Sequence, residues 1–93
     1  MNHDYYMQIA LDELHAGVKS GLNPVGSIIV RHKDAAIIGR GRNFVRLHND
    51  PTAHAEMIAI RQACDNLGAT QLVDCTLYTT LEPCPMCCWA ILT

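Results

Sequence analysis

Two short apolar runs, GSIIV (Gly26 to Val30) and AAIIG (Ala35 to Gly39), lie close together with the polar triplet His32-Lys33-Asp34 between them. Such runs read as two buried strands, and a connection this short joins them as an antiparallel hairpin. The second strand runs on to Arg42 and Asn43. Helical periodicity flanks the hairpin. Met7, Leu11, Leu14 and Val18 recur at i, i+4, i+7 and i+11, which predicts a helix from Tyr5 to Ser20 with Asp4 as its cap and Gly21 as its stop. After an irregular polar stretch, Asp50 is placed to cap a second helix with Pro51 at its first position. Ala53, Met57, Ile60, Cys64 and Leu67 form its stripe, which ends before Gly68. CTLYTTL, Cys75 to Leu81, is β-branched and aromatic and reads as a third strand. Pro83 breaks that strand, and Pro85 suits the first turn of a third helix running to Thr93. Helix, hairpin, then helix–strand–helix indicates one α/β layered domain over residues 1–93, with a parallel crossover between strands two and three.

Composition narrows the class. The chain has 93 residues, 49% of them hydrophobic and 17% charged, which are globular values with room for one domain. A net charge of -2 and arginines and lysines that form no run lower the expectation of a nucleic-acid partner. Arg31, His32 and Lys33, then Arg40, Arg42 and Arg46, are the basic concentrations, and they read as solvated turn and strand-edge charges. The longest apolar run, Cys87 to Leu92, is too short to span a bilayer, so the expectation is a soluble, cytoplasmic protein with no membrane partner. Five cysteines without a secretion signal read as thiols or metal ligands rather than a disulfide framework.

Spacing then singles out His54, Glu56, Cys84 and Cys87. Catalytic zinc sites use three nitrogen or sulfur ligands and keep one position for water, and His54, Cys84 and Cys87 supply that set. Residues two apart do not share a helix face. His54 and Glu56 can still address one ion if it lies off the helix's N-terminal end. Cys84 and Cys87 also stand at a helix start, where the dipole favours thiolates. Glu56 then serves as the proton carrier for an activated water. A structural zinc site, with Cys88 or Cys75 as fourth ligand, is the other reading of the same residues. Cys64, Cys75, Trp89, Met7, Met57 and Met86 read as core residues, and His48 is the histidine whose loop comes nearest the pocket.

The pair H-A-E (54 to 56) and P-C-x-x-C (83 to 87) resembles the signature of the zinc-dependent cytidine/nucleobase deaminase superfamily. NPVGSIIV and IIGRGRN look like its cytosine deaminase-like branch, NDPTAHAEM and AIRQAC like guanine deaminases, and TLEPCPMC is similar also to bacterial tRNA adenosine deaminases. The resemblance implies a three-layer α/β/α cytidine deaminase-like fold with a mixed sheet. It implies zinc on His54, Cys84 and Cys87 and proton transfer by Glu56. It also implies that Asn43 holds a polar edge of the base, that the Ala55 N–H donates to a base carbonyl, and that the carbonyl of Glu82 accepts from the departing amine. The implied reaction is hydrolytic loss of ammonia from a free nucleobase or nucleoside, cytosine or guanine first, by a homodimer.

Members usually continue past the cysteine helix with two further strands and a helix. The expectation is therefore a chain truncated after its third helix, with an open sheet edge. Two other functions stay open on the sequence: deamination of adenosine in tRNA, and a non-catalytic zinc-folded module.

Overall fold

The computed structural model describes residues 2–22, 24–45, 49–50, 52–69 and 71–80. Its elements are α1 (His3–Lys19), β1 (Gly26–Arg31), β2 (Ala36–Arg42), α2 (Ala55–Leu67) and β3 (Cys75–Thr79). The expected third helix, with Glu82, Cys84 and Cys87, lies outside the described residues.

β1 is the middle strand of the order β2-β1-β3, and both its ladders are antiparallel. β2 and β3 therefore run in the same direction, as the crossover through α2 requires, but β1 separates them. No parallel ladder, and so no mixed sheet, occurs among the described residues. α1 covers one face, where Tyr6 and Ala10 meet Ile28, Val30 and Tyr78. α2 covers the other, where Ala59 and Ala63 meet Ile29 and Ile38. Cover on both faces explains why β1 is apolar without alternation. A bulge at Ile29/Val30 leaves Ile38 as the extra residue of β2 and turns it toward α2.

Helix α1 differs from its expected face by one position. Tyr6, Ala10 and Gly17 are buried, whereas Met7 and Val18, assigned to the core from their spacing, are exposed. Tertiary contacts decide this. A Cβ at Gly26 would strike the Ala10 carbonyl oxygen, so the helix backbone rests on that glycine. Glu13, on the same side, accepts from Arg42 Nε at 2.8 Å and lies 3.3 Å from Arg40. The cap is Asn2, which accepts the Tyr5 N–H at 3.1 Å, and not Asp4.

At the far end of the hairpin Arg31 makes a two-pronged ion pair with Asp34, at 3.1 and 2.7 Å, and Ala35 closes the turn at φ 54°. α2 stops where expected, with Gly68 left-handed at φ 63°. Its side chains also reach the outer rim of β2. Gln62 accepts the Arg40 N–H at 2.8 Å, and Asn66 donates to the Ile38 carbonyl at 2.7 Å. The outer edge of β2 is thus partly occupied by the chain's own side chains.

Candidate active site

The second helix begins at Ala55, four residues later than Asp50 and Pro51 predict. Asp50 spends its carboxylate on a local turn, accepting from the Thr52 N–H at 2.9 Å and the Thr52 hydroxyl at 2.7 Å. Those two bonds, with Arg61 behind them, hold the Asp50 carboxyl below the usual carboxylate range. Arg61 also reaches Thr52 Oγ1 at 2.8 Å, so α2 grips the turn that leads into it. The Phe44 N–H to the Ala53 carbonyl, at 2.8 Å, ties this turn to the end of β2.

The late start puts His54 at the cap, with φ -70° and ψ 155°. Its side chain makes no capping hydrogen bond to the helix. Ala55 is the first helical residue, so its N–H has no acceptor within the helix. Glu56 is the second, 4% exposed. His54, the Ala55 N–H and Glu56 therefore share the end of α2, as the two-residue spacing demanded.

Small residues under α2 make this possible. A Cβ on Gly41 would strike the Ala55 carbonyl oxygen, and one on Gly39 the Ala59 carbonyl oxygen. The ladders set Ser27 between Gly41 and Thr79. Ser27 is fully buried, its hydroxyl 3.4 Å from Glu56 Oε1 and 3.0 Å from Thr79 Oγ1. Neither Ser27 nor Thr79 is singled out by sequence motifs. The available signal is one polar side chain inside an apolar strand.

Asn43 follows β2 at the same end of the sheet and is half-buried. Its Oδ1 accepts the Val45 N–H at 3.1 Å, a turn-forming bond, so a contact to another molecule would come from its amide N–H donors. His48, Glu82, Cys84 and Cys87 lie outside the described residues. Among the described residues no three potential ligands cluster. The donor chemistry fits zinc nonetheless: one imidazole off a helix end, with two cysteines following β3, whose last residue, Thr79, pairs with Ser27 beside Glu56. Cys64 and Cys75 are half-buried, and burial pushes the Cys75 thiol up, which disfavours its thiolate.

The profile of the cytidine and deoxycytidylate deaminase zinc-binding region matches residues 1–93. The chain belongs to this deaminase family. Among its relatives, guanine deaminase of Bacillus subtilis (strain 168) is 54% identical over 92 residues, covering 98% of this chain and 58% of that protein. The tRNA-specific adenosine deaminase of Aquifex aeolicus (strain VF5) is 46% identical over 91 residues, covering 98% and 59%. The fold superposes on the X-ray structure of guanine deaminase from Bacillus subtilis with a TM-score of 0.93 and 53% identity, over 99% of this chain and 58% of that one. The deaminase-family chain thus spans a little under three-fifths of these relatives. No helix among its described residues is long and apolar enough to cross a membrane.

Proposed function

We propose that this chain carries the zinc- and proton-handling part of a hydrolytic deaminase acting on a free nucleobase, guanine before cytosine. The observation that carries the proposal is Glu56, a buried carboxylate in the first turn of α2, two residues past the imidazole at the cap. Among the described residues no cation pairs with it. A carboxylate kept out of water with one hydroxyl beside it is costly as structure and useful as a proton carrier.

In this reading His54, Cys84 and Cys87 hold zinc. Bound zinc supplies a water whose pKa falls from about 15.7 toward roughly 7. Glu56 takes the two protons of that water in turn, passing the first to the ring nitrogen and the second to the amino group, so that ammonia leaves and the ring carbon ends as a carbonyl. Asn43 presents its amide donors to the base, the Ala55 N–H donates to a base carbonyl, and the carbonyl of Glu82 accepts from the departing amine.

The guanine choice is supported by 54% identity to a guanine deaminase. It is supported also by Arg31, Arg40, Arg42 and Arg61, each of which pairs with a carboxylate rather than joining a cationic stripe for phosphates. The second reading, adenosine in tRNA, is favoured by 46% identity to a tRNA-specific enzyme. We read the protein as a cytoplasmic homodimer, which cell fractionation and sedimentation test.

The deciding experiment measures ammonia release from guanine, cytosine and tRNA by the zinc-loaded protein, beside Glu56→Gln. Turnover of guanine alone, lost in the variant with zinc retained, supports the proposal. Turnover of tRNA alone selects the second reading. No turnover of any substrate leaves a zinc-folded module and overturns both.

A further inference from the structure

Ser27 is the one polar residue of the run GSIIV and is fully buried. On the α2 side of the sheet its row reads Gly41, Ser27, Thr79. Gly41 offers no side chain, so in this row Ser27 is the residue that reaches the first turn of α2. Its hydroxyl has one proton and stands between two acceptors, Glu56 Oε1 at 3.4 Å and Thr79 Oγ1 at 3.0 Å. A carboxylate oxygen accepts, so in the Ser27–Glu56 contact the hydroxyl is the donor, at a longer distance than its 3.0 Å contact with Thr79. The Ser27 hydroxyl donates to Thr79 or to Glu56, and it serves Glu56 when the Thr79 hydroxyl turns to donate to it.

We infer that Ser27, backed by Thr79, is a positioning residue that holds the Glu56 carboxylate in one orientation for proton transfer. Glutamate has three side-chain torsions, and burial alone does not fix the last of them, which is broad. A hydroxyl fixed on the middle strand does so at little entropic cost, because serine has one rotatable bond to order. The neighbours agree with this assignment. Ile28, Ile29 and Val30 are all buried and apolar, and a bare hydroxyl among them would otherwise be unfavourable. The inference rests on the reading of Glu56 as the proton carrier.

Its test compares kcat and KM for guanine, together with bound zinc, in the zinc-loaded protein and in Ser27→Ala, Thr79→Val, Thr79→Ser and Glu56→Gln. Ser27→Ala is expected to lower kcat about tenfold, the loss of one hydrogen bond to a charged group, with KM held within about twofold and zinc retained. Thr79→Val is expected to lower kcat by a smaller factor, and Thr79→Ser to restore it. Unchanged kcat in Ser27→Ala beside an inactive Glu56→Gln overturns the positioning role and leaves the proposed function intact. A Glu56→Gln protein as active as wild type overturns the proposed function and this inference with it. If Ser27→Ala fails to fold, equal kcat in Thr79→Val and Thr79→Ser overturns the inference on its own.

Discussion

The two faces of the sheet are built from different residues for different purposes. Toward α1 the sheet presents Ile28, Val30 and Tyr78, which pack on Tyr6 and Ala10. The two tyrosine rings lie 5.5 Å apart, and the Tyr78 hydroxyl sits 2.6 Å from His3 Nδ1. Burial pushes the Tyr78 phenol up, so it stays neutral in this apolar layer. Toward α2 the sheet presents Ile29 and Ile38 at one end, then Gly39, Gly41, Ser27 and Thr79. A glycine lets a helix backbone settle on each face, Gly26 beneath Ala10 of α1 and Gly39 and Gly41 beneath Ala59 and Ala55 of α2, but the buried hydroxyl of Ser27 lies on the α2 face. The α1 face stabilises the domain. On the α2 face, close approach brings a helix end and a buried carboxylate to one point.

This contrast can be broken by substitution. Ile28→Ala, on the α1 face, is expected to destabilise the fold by roughly 2–5 kcal/mol, read by denaturant unfolding, with kcat of the remaining folded protein unchanged. Gly41→Ala is expected to destabilise by a smaller amount, about 1–3 kcal/mol, but to lower kcat as well, because the new Cβ meets the Ala55 carbonyl and displaces the turn that bears Glu56. Equal effects on kcat from the two variants would show that the faces do not divide labour.

The smallest effect belongs to the exposed Arg31–Asp34 pair in the hairpin turn. Arg31, by its hydrogen bond above all, holds the Asp34 carboxyl down to about 2. A depressed carboxylate stabilises the fold above its unfolded-state pKa, and that contribution is lost as pH falls through the folded value. Wild type should therefore lose its small advantage over Asp34→Asn between about pH 4 and pH 2, as read from denaturation midpoints. The pair is exposed, so a modest difference is expected.

Legibility in the sequence follows the range of the interactions. The hairpin, β3 and the Gly68 stop were readable because local pattern and turn chemistry decide them. The buried face of α1 was not: it turns on Gly26 beneath Ala10 and on Glu13 meeting Arg40 and Arg42, contacts between residues distant in the chain. The start of α2 was misplaced for a different reason. Asp50 followed by Pro51 is a sound helix start, but Asp50 bonds Thr52 instead, and the helix waits for His54. That delay brings His54 and Glu56 to the same helix end. The motif picks out His54 and Glu56, and the packing of α2 on Gly41 and Ser27 explains how these two come to one helix end.

The central claim is that Glu56 is buried for chemistry rather than for packing. The most direct test is ammonia release from guanine by the zinc-loaded protein and by Glu56→Gln, with zinc content and melting temperature measured on both. The account predicts a loss of about 10² to 10⁴ in kcat with zinc retained and the fold intact. Guanine turnover that survives the substitution, or a variant that loses its fold or its metal along with activity, would contradict it.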